Sequence, residues 1–235
     1  MSTLLIRLAG PMQSWGDSSR FTRRGTRNEP TKSGVVGLLA AAEGRPRDAS
    51  VEDLKALRLG VRVDQEGAID QDFSTARRPT GEPMPLSTRL FLSDALFIVG
   101  VEGGRPLLEG LLEHLRSPAF PIFLGRRAYP PTSFLGIGVV DTPLDDALRA
   151  HPWEAARWYR ARRSNPARLR LVLDAEPGAS PGEAETVRDV PVSFSPQRRE
   201  YEWRQVVTQW LDLPNPDGRP ARDGQVDFFE AVQTA

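Results

Sequence analysis

An α+β fold of β-α-β-β-α-β order is predicted by three observations. Short apolar runs with strand spacing alternate with two helical patterns across the first 150 residues. One of those patterns, Pro106 to Leu115, places Leu107, Leu108, Leu111, Leu112 and Leu115 on a single face. A Pro-, Gly- and Arg-rich stretch, Arg77 to Pro85, interrupts the middle of the series and reads as an exposed hairpin excursion.

Taken in order, Thr3 to Ala9 is a buried strand ended by Gly10-Pro11. Residues 33–42 are helical, and Thr31 has the hydroxyl that caps a helix N-terminus. Gly34 and Gly37 inside that helix lower its stability, so tight packing against something is expected there. Val51 to Leu57 is a short helix. Leu59 to Val63 and Ala68 to Ser74 form a strand pair around a turn at residues 65–67. Leu90 to Val101 is a strongly apolar strand broken by Ser93-Asp94. Phe120 to Leu124 and Phe134 to Val140 are short strands, and Leu144 to Ala150 is a short helix. This is the ferredoxin-like order, shared with RNA-recognition domains, with an inserted hairpin.

The composition shifts after His151, which divides the chain into residues 1–150 and a small β-rich region, residues 151–235. Leu169 to Leu173 and Val187 to Phe194 are strands. Trp203 to Leu211 fits a strand or a short helix, Ala175 to Glu185 is a loop, and Pro214 to Gly224 is irregular.

Several chemistries are excluded or disfavoured. There is no cysteine, so disulfides, thiolate metal sites and cysteine nucleophiles are ruled out. His114 and His151 are the two histidines, they are not clustered, and no metal is expected. Residues 25–33 resemble a phosphate-binding loop only at their end, because Thr31 stands where glycine is required. Gly136-Ile137-Gly138 lacks the third glycine of a dinucleotide fingerprint. No stretch approaches the apolar length of a membrane span, and the N-terminus reads as an opening strand rather than a secretory leader. The cytoplasm is the expected compartment.

The 31 basic residues balance 31 acidic ones, an unusual neutrality for a free-standing nucleic-acid binder. Almost all the cations are arginine. Codon bias and the bidentate grip of guanidinium on phosphate explain that equally well. Four segments concentrate them. Arg20, Arg23, Arg24 and Arg27 run into Lys32 and Ser33 at the start of the first helix. Gly125-Arg126-Arg127 forms a turn followed by Tyr129, which has a ring suited to base stacking. Arg77 and Arg89 lie on the hairpin excursion. Arg157 to Arg170 holds six arginines and no acid, with Trp158 and Tyr159 among them. Each segment alone is as readily a solvated surface, and the last fits RNA or an acidic protein equally.

Two stretches in tandem carry a resemblance. Leu8 to Gly16 (LAGPMQSWG) and Pro30 to Ala42 (PTKSGVVGLLAAA) are similar to the opening of the CasD-type subunits of type I-E CRISPR surveillance complexes (Cascade), within the CRISPR-associated Cas5 family. Residues 93–99 and Leu124 to Arg127 extend the likeness, and Pro191-Val192, Arg198-Arg199 and Tyr201 fit it loosely. The resemblance implies a modified ferredoxin-like domain with a thumb hairpin at about residues 75–93 and a small C-terminal region. It implies a subunit that holds the 5′ handle of the guide RNA (crRNA), beside CasC backbone subunits and the CasA large subunit. Target DNA would be met only indirectly. It implies RNA contacts from Gln13 and Trp15, Lys32 and Ser33, Gly125, Arg126 and Arg127, and from Arg89 on the thumb.

No catalytic residue and no cofactor is expected on this reading. Two rivals stand beside it. A metal-independent endoribonuclease would need His114, Tyr129 or Lys32 as acid or base. An arginine-rich adaptor would bind acidic proteins without touching RNA.

Overall fold

A computed structural model describes residues 1–16, 23–176, 184–195 and 197–220. In chain order these form β1 (Ser2–Ala9), β2 (Met12–Gln13), β3 (Arg23–Arg24), α1 (Lys32–Ala42), α2 (Glu52–Lys55), β4 (Arg58–Gln65), β5 (Ala68–Ser74), β6 (Ser87–Ser93) and β7 (Leu96–Gly103). They continue with α3 (Arg105–Arg116), β8 (Gly136–Val140), α4 (Leu144–Ala150), α5 (Arg157–Arg160), β9 (Ser164–Asn165), β10 (Ala167–Asp174), β11 (Ala184–Phe194), β12 (Arg199–Leu213) and β13 (Arg219–Pro220). The molecule is α+β and dominated by antiparallel sheets.

Seven strands make the main sheet, in the order β11-β12-β10-β4-β7-β1-β8, every neighbouring pair antiparallel. The central strands β1, β4 and β7 are buried along nearly their whole length, which their continuous Leu, Ile and Val runs allow. Helices α1 and α3 cover one face. Leu38 and Leu39 of α1 and Leu108, Leu111 and Leu115 of α3 share a core there with Leu4, Ile6, Phe97 and Val99. Helix α4 covers the other face, where Leu144 and Leu148 meet Leu5, Ile98, Leu171 and Leu173. Residues 167–213 extend the same sheet through the β10–β4 pairing.

Arg62 shows how that second face is closed. It is fully buried, pairs with Asp64, and donates to the carbonyls of Leu148 and Pro152, so it holds the end of α4. Burial pushes the Asp64 carboxyl above the usual carboxylate range even though Arg62 opposes it.

Two expectations need correcting. Ala68–Ser74 does not pair with the strand before it; β5 pairs with β6, so the hairpin spans Ala68 to Ser93 rather than starting near residue 75. The physical reason lies in composition. Strand β4 is apolar and flanked by β7 and β10, whereas β5 alternates Ile69 and Phe73 with Asp70 and Asp72 and is exposed on both sides. The chain leaves this hairpin at Asp94, whose φ of 55° turns it into the main sheet. Second, residues 120–124 form no strand. Ala119 and Phe120 donate to the carbonyls of Ala42 and Ala41 at the end of α1, so this segment caps a helix instead of joining a sheet. Trp203 to Leu211, which fitted strand or helix, lies in the 15-residue strand β12.

Candidate nucleic-acid interface

A groove of about 830 Å³ runs along the outer side of α1. Its floor is built from the small residues Gly34, Gly37, Ala40 and Ala41. One wall is the segment 120–125 with Arg127, and the other is the end of the β11–β12 hairpin, with Phe194, Arg199 and Tyr201. Arg45 and Arg47 flank the end nearest the C-terminus of α1. Among the described residues four arginines line the groove and no carboxylate does. Arg47, Arg127 and Arg199 are exposed, whereas Arg45 is held by Asp53 at 2.6 Å and Glu43 at 2.8 Å. The hydrogen bonds that Arg45 donates to Asp53 raise its pKa further above its ordinary value.

Several predicted contact residues build this groove from behind. Gln13 is fully buried; its Nε2 donates to the carbonyls of Leu8 at 3.1 Å and Ala95 at 2.7 Å, and its Oε1 accepts from Trp15 Nε1. Trp15 is 1% exposed and packs under the first turn of α1. Gly34 is what permits this approach, because a Cβ there would lie 2.8 Å from the indole. The packing expected from the helix glycines is therefore present, with Trp15 at one and Phe194 at the other.

Lys32 is also interior. Its Nζ pairs with Asp174 at 2.9 Å, and its backbone amide donates to Asp189 at 2.8 Å. Arg204 bridges the same two carboxylates. Burial alone would raise the Asp189 carboxyl, but Arg204 outweighs it and holds it below the usual range. The anion-seeking first amide of α1 is thus satisfied from within. Thr31 caps the helix by accepting from the Gly34 amide, and Ser33 lies beside it at the groove edge.

The turn after residue 124 divides its labour. Gly125 has φ of +87°, and a Cβ on it would stand 1.7 Å from the Ser14 carbonyl oxygen, so glycine is required twice over. Arg126 points inward, donating to the Tyr129 hydroxyl and the Leu90 carbonyl, each at 2.9 Å. Tyr129 is 5% exposed and packs on Phe91, so its ring is not available to a base. Arg127 faces the groove. Through Leu90 the turn is tied to the root of the β5–β6 hairpin.

The remaining candidates are scattered around this rim. Arg23 and Arg24 are exposed on β3, in register with Thr88 and Arg89 of β6. Arg89 is half-buried, and Arg77 is exposed near the hairpin tip. Arg27 pairs with Glu29, which also holds Arg170 at 2.9 Å. Arg20 lies outside the described residues. Most of the basic block at Arg157 to Arg170 is engaged internally: Arg160 with Asp217, Arg163 with Glu66, Arg168 over the Trp210 ring. Phe194 and Arg199 were not legible as site residues, since their proximity to α1 depends on strands more than 100 residues away, and Arg47 follows α1 directly but carries no motif that marks it.

The antiparallel α+β scaffold thus carries a cationic groove lined by no carboxylate among the described residues. The chain belongs to the CRISPR-associated Cas5 family, whose model matches residues 3–207. It is 30% identical over 174 residues to the CRISPR system Cascade subunit CasD of Escherichia coli (strain K12), covering 64% of this chain and 78% of that protein. A crystal structure of a Cas protein is 42% identical with a TM-score of 0.69, covering 92% of this chain and 97% of the other. A chain of a CRISPR RNA-guided surveillance complex is 29% identical with a TM-score of 0.74, covering 98% and 99%.

Proposed function

We propose that this protein is a non-catalytic RNA-binding subunit of a type I-E Cascade complex, and that its α1 groove holds the 5′ handle of the crRNA. The observation that carries this reading is the groove itself: among the described residues it is lined by four arginines and no carboxylate, over a floor of glycine and alanine that lets a chain lie close to the helix. Exposed cations attract the backbone, and splayed bases find Phe194 and Tyr201 on the wall. The likeness to a Cascade subunit and to a chain of an RNA-guided complex supports the same partner class. CasC-type and CasA-type subunits are its neighbours on this reading, in the cytoplasm; among the described residues no helix is long and apolar enough to cross a membrane.

The strand order β8-β1-β7-β4 with α1 and α3 on one face supports a modified ferredoxin-like core, and the β5–β6 hairpin is its thumb. The groups an endoribonuclease would use are poorly placed. His114 is exposed on α3 and lines no part of the groove, Tyr129 is buried, and Lys32 is ion-paired.

The test is to co-express the chain with its partner subunits and a repeat-spacer transcript. A discrete guide-length RNA should co-purify, and the triple variant Arg47→Ala, Arg127→Ala, Arg199→Ala should lose it. Incubation with repeat RNA in EDTA should leave the RNA intact. Retention of RNA by the triple variant, or site-specific cuts in the RNA, sinks the proposal.

A further inference from the structure

A second groove, of about 500 Å³, opens where β1 ends and β7 begins. Its lining differs in charge from that of the first. Arg7, Asp94, Glu154 and Trp158 bring two carboxylates and one cation to it. Glu154 is already satisfied: Arg7 Nε lies 2.5 Å from one oxygen and His151 Nε2 lies 2.8 Å from the other. Arg7 in turn also donates to Ser133. Asp94 is left over. It is exposed, its main chain is fixed by hydrogen bonds with Pro11 and Gln65, and its carboxylate has no hydrogen-bond or ion-pair partner among the described residues.

On the lining of the same groove, Trp158 is 49% exposed. That ring already accepts a guanidinium, since the Arg162 head group sits 5.3 Å from its centroid. An unpaired carboxylate on a fixed main chain and a half-open indole lining one groove are complementary to a long cationic side chain: the charge meets the carboxylate and the methylene stem covers the ring. The same carboxylate repels phosphate, so RNA is the wrong occupant.

We propose that this groove is a docking site for an arginine or lysine side chain presented by a loop of a neighbouring protein subunit. The proposal rests on the reading of the chain as a member of a multi-subunit assembly. It separates the two partner classes in space, with the RNA on the α1 groove and a basic protein loop on the Asp94 groove.

The experiment uses the assembled complex, made by co-expression with CasC-type and CasA-type subunits and guide RNA. Asp94→Asn removes the charge and keeps a side chain that tolerates the left-handed backbone at φ 55°. Asp94→Arg reverses the charge, and Trp158→Ala removes the ring. Subunit occupancy is read by native mass spectrometry, and guide-RNA affinity by filter binding. Asp94→Asn and Trp158→Ala should each weaken the hold on one protein subunit about tenfold, and Asp94→Arg should release it, with RNA affinity unchanged in all three. Full occupancy in every variant overturns the inference alone. So does a gain in RNA affinity for Asp94→Arg with all proteins still bound. A wild-type chain that recruits no partner subunit overturns the assembly reading as well.

Discussion

The Nζ of Lys32 lies 2.9 Å from Oδ2 of Asp174, and both side chains are about nine-tenths buried. A cation at the start of α1 that looked placed for a phosphate instead pins the helix to β10, and Asp174 is shared with the amide of Leu59. Removing the cation strands part of a buried charge. Lys32→Met should therefore lower unfolding stability by about 3 kcal/mol, since Arg204 still neutralises Asp174 in part. Urea denaturation of wild type and variant measures this. A loss under about 1 kcal/mol contradicts the latch.

Asp189 gives the same cluster a pH signature. Its folded carboxyl is held below the ordinary carboxylate value of 3.8, so it contributes stability above that pH and loses it as pH falls through the folded value. Asp189→Asn should be destabilised at pH 7, where Arg204 loses one of its two carboxylate partners. The gap between wild type and variant should narrow steadily on acidification below about pH 4. Denaturation midpoints from pH 7 to pH 3 test it; a gap independent of pH would show that the carboxylate charge contributes nothing.

The two adjacent arginines of the turn should separate cleanly. Arg127→Ala is expected to weaken RNA binding and reduce the slope of log affinity against log salt by about 0.7, the value for one phosphate contact on a single strand. Arg126→Ala should leave that slope nearly unchanged and lower stability by about 1–2 kcal/mol, because it opens the hydrogen bonds to Tyr129 and Leu90. Salt titrations of both variants discriminate the roles.

What the sequence made legible is instructive at these positions. The longer strands and the helices of the first half follow from local periodicity, and the Thr31 cap and the break at Asp94 from residue type, whereas the two-residue strands β2 and β3 have no such signal. Which side a motif residue faces does not. Lys32 and Arg127 are both cations beside glycines, yet one is buried by partners on β10 and β11 and the other is open, and those partners are remote in sequence. The partner of β5 is hidden for a related reason: adjacency in sequence favours β4, and only the competing demands of β7 and β10 decide against it. That Phe194, Arg199 and Tyr201 form a groove wall against α1 has no local signal, because the wall exists only once β11 and β12 extend the sheet.

Gly37 offers a test in which folding and occupancy pull in opposite directions. It sits in the middle of α1, and a Cβ there would meet the Phe194 ring at 3.4 Å, an approach the ring tolerates with a small adjustment. Gly37→Ala should thus be neutral or raise stability by up to about 1 kcal/mol, the usual gain of alanine over glycine within a helix. Gly37→Leu places a longer side chain across the floor where the guide strand is proposed to lie. It should keep a folded, helical protein by circular dichroism while reducing RNA affinity about tenfold or more, since a branched side chain occupies the volume the strand needs. Arg127 remains in place in that variant, so long-range attraction persists and the loss should appear mainly as faster dissociation. Unchanged affinity and dissociation for Gly37→Leu would mean the RNA does not lie against α1.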